Sequence, residues 1–138
     1  MFTMDFSLKR KAHLRLGRRG EDLSCELLES KGMVILARNV RTNFGELDIV
    51  GRDGGMLVFV EVKTLRRIGR FRPIDNYKRR QMQRNLRAAR EYVRMVEAQH
   101  LRLRYDFIEV VLPKRGFMQI HHYMDFIRMS DMRYGYGK

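Results

Sequence analysis

Cysteine, proline and long apolar runs are all scarce in these 138 residues, with one cysteine and two prolines. The lone thiol, Cys25, cannot close an internal disulfide, which fits a reducing compartment. It falls in a predicted helix, where a free cysteine behaves as a small buried hydrophobe. Two prolines leave little room for a stiff linker, and no repeat or low-complexity tract is visible. No stretch approaches the roughly 20 apolar residues of a membrane span. The first residues, "MFTMDFSLKRKAHLRLGRRG", lack an uninterrupted apolar h-region and a small-residue cleavage site. A cytoplasmic protein with no membrane partner is the expectation. Hydrophobic residues make up 44% of the chain, which excludes wholesale disorder and suffices for one moderate core.

Acidic residues are short in number as well. Lys and Arg total 29 against 16 Asp and Glu, a net charge of +13. The imbalance is local. Residues 1–20 carry six bases and one acid, residues 21–61 carry eight acids and four bases, and residues 66–104 carry 13 bases and three acids. An acidic island between basic segments is not what uniform solubilisation produces. It points to a polyanionic partner, nucleic acid before an anionic membrane, because arginine dominates the basic block and its planar fork suits phosphate.

Periodicity supplies the elements. "GEDLSCELLESKG" (20–32) predicts a helix whose apolar stripe holds Leu23, Leu27 and Leu28, with Gly32 at its C-terminal cap. "MVILARNVR" (33–41) predicts a strand, and "GELDIVGRDGGMLVFVEVKT" (45–64) a hairpin turning at "RDGG" through Asp-Gly. Over 75–99, Met82, Leu86, Ala89, Val93 and Val96 repeat at helical spacing and predict one buried face. "RYDFIEVVLP" (104–113) and "FMQIHHYM" (117–124) predict two further strands, before a loose tail ending in "DMRYGYGK". The order α-β-β-β-α-β-β makes an α/β protein. The helix after the third strand lets the fourth return to the same sheet, giving a mixed β-sheet flanked by helices.

Charges inside the strands carry the chemistry. In "LVFVEVKTLRR" (57–67), Glu61 and Lys63 are two apart and share a face, with Val60 and Val62 on the other. Buried charges are costly unless paired, hydrated or metal-bound. In "GELDIV", Glu46 and Asp48 share a face, and Leu47 and Ile49 take the other. The hairpin sets Asp48 across from Glu61, where the two carboxylates can give oxygen ligands to a hard divalent cation. Lys63 lies one step along. Glu21, at the start of the first predicted helix, is a further candidate. Taken singly, each has a plain structural reading: a surface ion pair for Glu61 and Lys63, a turn for Asp48, helix-dipole compensation for Glu21. His121 and His122 read as strand residues rather than ligands, since hard cations prefer oxygen. On the long helix Arg80, Arg84, Arg87 and Arg94 fall within about 80° of one another, opposite the apolar stripe, as a phosphate-facing tract. Lys78 lies nearer the apolar edge, and Arg66 and Arg67 follow the third strand.

The spacing Asp48…Glu61-Val62-Lys63 resembles the active-site signature of the PD-(D/E)XK nuclease superfamily. Gly45-Glu46-Leu47 stands before the Asp in place of the leading Pro. The chain resembles one branch more closely, the YraN-like family of nuclease-fold proteins. The landmarks are "GRRGED" (17–22), "LARNVRTNFGELDIV" (36–50), "VFVEVKT" (58–64), a helix with Lys78, and "RYDFIEV" (104–110). Leu65 stands where relatives usually carry Arg, and Ser24 where a small Ala is common. The resemblance implies a restriction-endonuclease-like core over residues 17–127, after a basic segment 1–16 and before the tail 128–138. It implies a site similar to that of archaeal Holliday-junction resolvases, with Glu21 as the helix-borne acid.

Residues and resemblance together lead to a metal-dependent nuclease, a DNA endonuclease for branched or otherwise structured DNA. Asp48 and Glu61 would hold Mg²⁺ or Mn²⁺, with the Val62 carbonyl as a further ligand, Glu21 would bind a second ion or a metal-bound water, and Lys63 would orient the nucleophile or stabilise the transition state. DNA is expected before RNA, and a resolvase-like reaction calls for a homodimer. Two other readings compete: a non-catalytic nucleic-acid-binding module with a nuclease fold, and an RNA- or ribosome-associated basic protein. Neither needs the acids.

Overall fold

Central strands buried on both faces and more exposed outer strands build a five-stranded sheet in the computed structural model, which describes residues 6–70, 72–77 and 79–127. Its strands are β1 (Val34–Thr42), β2 (Gly45–Asp53), β3 (Met56–Leu65), β4 (Arg102–Val111) and β5 (Gln119–Ile127), and their spatial order is their chain order. β1, β2 and β3 form an antiparallel meander. A helix, α2 (Arg79–Met95), then crosses over, so β4 returns parallel to β3, and β5 closes antiparallel to β4. The mixed α/β sheet expected from the sequence is present. Lys78 and residues 128–138, the expected tail, lie outside the described residues.

Each face of the sheet is covered by one helix. On one side Cys25 and Leu28 of α1 (Phe6–Ser30) pack with Ile49, Val58, Val60 and Ile108. On the other, Leu86, Ala89, Tyr92 and Val93 of α2 pack with Val50, Leu57 and Phe59. At roughly 25 cal/mol per Å² of apolar surface, these two layers are the main source of stability. α1 stops as predicted: Gly32 takes φ +89°, Met33 N–H donates to the Leu28 carbonyl (3.0 Å) and Gly32 N–H to that of Glu29 (2.9 Å). Cys25 is buried.

Several boundaries differ from the sequence expectation. α1 begins at Phe6 rather than near Gly20: its lysines, arginines, alanine and leucines are good helix formers, no proline interrupts them, and Gly17 is tolerated inside the helix. Glu21 therefore sits well inside the helix, and compensation of an N-terminal dipole is not its role. α2 spans 79–95 rather than 75–99, since Pro73 opens a separate 3-10 turn, Pro73–Asn76. At its end Glu97 turns left-handed (φ +54°), so Val96 is 48% exposed and Ala98 is buried instead. The hairpin turns at Gly54-Gly55, not Asp-Gly, because Asp53 still pairs with Met56 and binds Arg104 at 2.9 Å. Leu47 and Ile49 fall in different cores. The β2–β3 ladder ends at Ile49 opposite Val60, and beyond it β2 follows β1 alone. Among the described residues no helix is long and apolar enough to cross a membrane.

Candidate active site

Where the β2–β3 ladder ends, a carboxylate takes over the pairing. Val62 N–H donates to Asp48 Oδ2 at 2.8 Å. Glu61, opposite, is 7% exposed, with Lys63 Nζ 3.6 Å from its Oε1. Burial first, and then the Glu61 charge, push Asp48 up to about 7, against the Val62 hydrogen bond and Lys63. Burial also raises Glu61, opposed by Lys63 and by hydrogen bonds from Lys63, Gln81 and Asn85. Two acids placed in this way, Glu61 buried and Asp48 half-buried, form a site where a proton or a cation relieves the repulsion.

Glu61 is held from above by α2. Gln81 Nε2 reaches its Oε1 and Asn85 Nδ2 its Oε2, both at 3.4 Å. Asn85 also donates to the Tyr77 hydroxyl in a short contact. Burial, then the Glu61 charge, pushes that hydroxyl up and keeps it protonated. The loop before α2 is anchored by the fully buried Glu109, which takes Arg72 Nη2 at 2.6 Å and Nε at 3.0 Å. Sequence reasoning missed Gln81, Asn85 and Tyr77. Gln81 and Asn85 are four apart, a polar rib beside the apolar stripe of α2, and that spacing was the available signal.

Glu21 approaches from α1, the opposite helix layer. Arg38 stands 3.8 Å away but binds Asp22 more closely, at 2.6 Å. Burial raises Glu21, the Asn39 side chain and Arg38 lower it, and Glu46 raises it again. Its charge is felt at Asp48. Among the described residues no three His, Cys, Asp or Glu side chains gather closely enough to form a ready-made metal cluster. The pair Asp48 and Glu61 is thus the tight unit, and Glu21 stands off from it.

Of the expected phosphate contacts, Arg80, Arg84 and Arg87 line one cleft of about 330 Å³ with Gln83. Arg87 also lies over the Phe44 ring, 5.8 Å from its centroid. Arg94 is exposed in the last turn of α2. Arg66 and Arg67 are exposed where β3 ends, Arg66 tied to the Leu112 carbonyl at 3.3 Å. His122 lies in β5, bonded to Asp106 (2.8 Å) and Lys31 (2.7 Å), in a network where Arg104 also grips Asp106.

Comparison with known proteins adds a family. Residues 20–110 match the one described as Uncharacterised protein family UPF0102. Similar proteins, each called a UPF0102 protein, occur in Syntrophotalea carbinolica (45% identical, 70% of this chain and 79% of that one) and Dictyoglomus turgidum (35%, covering 73% and 86%). A third, in Rhodococcus opacus, is 35% identical over 82% of this chain and 96% of its own.

Proposed function

The chain belongs to the uncharacterised protein family UPF0102, and we propose that this protein is a metal-dependent nuclease of the PD-(D/E)XK superfamily with a restriction-endonuclease-like core. The observation that carries the reading is the pair of buried Glu61 and half-buried Asp48, both raised, beside Lys63. A fold of this sort would bury apolar side chains there if the positions served packing alone, and pure binding would leave the acids repelling the polyanion.

The donor set suits a hard cation. Two carboxylates are enough for Mg²⁺ or Mn²⁺, which retain several waters, and too few and too oxygen-rich for a structural zinc site. The N–H and C=O of an extended residue point to the same neighbouring strand. With its N–H on Asp48, Val62 would offer its carbonyl on the same side as a third oxygen. When bound, the metal supplies an acidified water and neutralises charge growing on the phosphate. The chain does the rest. Gln81 and Asn85 fix the Glu61 carboxylate, Lys63 offers its ammonium where phosphate charge develops, and Glu21 orients water from the α1 side. Arg80, Arg84, Arg87 and Arg94, with Lys78, hold the flanking phosphates.

The substrate we propose is DNA rather than RNA, branched or otherwise structured, cut by a homodimer in the cytoplasm. The test is a panel of linear, flapped and four-way DNA, with RNA counterparts, incubated with Mg²⁺, Mn²⁺ or EDTA. Metal-dependent cleavage lost in Glu61→Gln is the expected result. Wild-type protein that cuts no member of the panel at any metal concentration sinks the proposal.

A further inference from the structure

The nuclease reading uses the acids around Glu61 and the arginines of α2, and leaves a second feature unexplained. The N-terminal half of α1 and the β4–β5 loop enclose a groove with two lobes, of about 490 and 910 Å³, that share Ala12, Leu16 and Arg66. Its charged lining is cationic: Lys9, Arg10, Arg15, Arg19, Arg66 and Lys114. Among the described residues no carboxylate lines either lobe. The floor is apolar, formed by Ala12, Leu16, Leu112, Pro113 and Met118. The bond from Arg66 to the Leu112 carbonyl fixes one arginine across it. Next to Met118 in the loop, Phe117 holds its ring out at 95% exposure.

Apart from Arg66, every residue of this groove lies outside 20–110, the segment that matches the family. A solvated basic face accounts for it poorly, since Arg15 and Arg19 repel at i, i+4 and neither the apolar floor nor the Phe117 ring is served. An anionic chain with its own flat apolar groups satisfies all three. A duplex keeps its base faces stacked inside, whereas a single strand offers phosphates and base faces together.

We propose that the groove between α1 and the β4–β5 loop binds a single-stranded segment of nucleic acid, with phosphates along the arginine rim and a base stacked on Phe117. The proposal deepens the nuclease reading by naming the substrate class: nucleic acid that carries an unpaired strand next to the site of cleavage. A single strand steered past Arg66 runs along the end of β3, the strand that bears Glu61 and Lys63.

The experiment is fluorescence anisotropy in EDTA, using labelled oligothymidylate and a blunt duplex of equal length with the full chain. Phe117→Ala weakens oligothymidylate binding about fivefold or more and leaves duplex binding unchanged, and the exposed position makes misfolding no concern. Arg15→Glu with Arg66→Glu weakens oligothymidylate binding and flattens its salt dependence. Equal binding of oligothymidylate by wild type and Phe117→Ala overturns the proposal. So does polyglutamate displacing oligothymidylate equally well from wild type and Phe117→Ala, which would mark an acidic-peptide site. EDTA separates this from catalysis: strand binding through Phe117 by a protein that cuts nothing leaves the groove standing and removes the nuclease. Cleavage that prefers no unpaired strand and ignores Phe117→Ala does the reverse.

Discussion

Gly20 of α1 rests so closely on Thr64 of β3 that a Cβ on the glycine would overlap the threonine hydroxyl. That approach sets the distance between the α1 layer and the sheet one residue from Glu21 and one from Lys63. Gly20→Ala forces the layers apart, an overpacking that costs about 1–3 kcal/mol and lowers Tm by several degrees. Thr64→Ala in the same chain removes the obstructing hydroxyl and should restore part of the stability. A Tm unchanged by Gly20→Ala would show that the helix stands further off.

Much of this arrangement was legible in the sequence. The apolar run and the Gly-rich turn marked out β2 and β3, and period two set Glu61 and Lys63 side by side on one face, though it failed for Leu47 and Ile49. The start of α1 was not legible, because residues 6–19 carry no full apolar stripe. Their partly buried Leu16 meets a core that only the folded sheet supplies. Gln81 and Asn85 escaped for a related reason. Their partner, Glu61, lies 20 and 24 residues away, and only the crossover of α2 onto the sheet brings them together. Glu109 is similar: its burial is offset by Arg72, 37 residues distant.

The amide rib of α2 has a measurable effect on ionisation. Gln81 and Asn85 hydrogen bonds hold Glu61 lower than burial alone would leave it. Asn85→Leu, or Gln81→Leu, should therefore raise Glu61, which must be ionised to serve a cation. The acid limb of the pH–activity profile should move to higher pH, with little change in DNA affinity. A profile that only drops in height, without moving, would mean that the amides do not act through Glu61.

Asp48 links pH to stability with a definite sign. Burial and the Glu61 charge raise it from 3.8 to about 7 in the folded chain. For a raised acid, the stabilisation is complete below the unfolded pKa and is lost as pH rises through the folded one. In EDTA, Tm should thus fall from about pH 4 to about pH 7 through this group, and Asp48→Asn should flatten the slope. Asp106 does not interfere. Despite the opposing effect of burial, hydrogen bonds from His122, Arg104 and Asp125 lower it, so its contribution is lost only in acid. Saturating Mg²⁺ should raise Tm above neutral pH by binding only the folded state, and not in Asp48→Asn. An equal rise in both proteins would put the cation elsewhere.

The arginine cleft predicts a salt signature. Glu replacements at Arg80, Arg84 and Arg87, which line one cleft, should weaken duplex binding regardless of sequence. The slope of log affinity against log salt should shallow by roughly 0.9 for each phosphate that the protein no longer neutralises. An unchanged slope would remove α2 from the phosphate-facing surface.

Lys63 separates an enzyme from a binding module. Its ammonium is about half exposed and 3.6 Å from Glu61 Oε1. In a module it is one cation among 29, and Lys63→Ala should weaken DNA binding slightly and do nothing else. In a nuclease it acts where charge grows in the transition state, so its removal leaves binding almost intact and lowers turnover by roughly two orders of magnitude or more. Glu61→Gln should lose turnover by another route, through weaker metal binding. Excess Mn²⁺ should then restore some activity to Glu61→Gln and none to Lys63→Ala, because no concentration of metal replaces a missing ammonium. Cleavage that persists in Lys63→Ala, Asp48→Asn and Glu61→Gln alike would trace to a different site or to a contaminating nuclease.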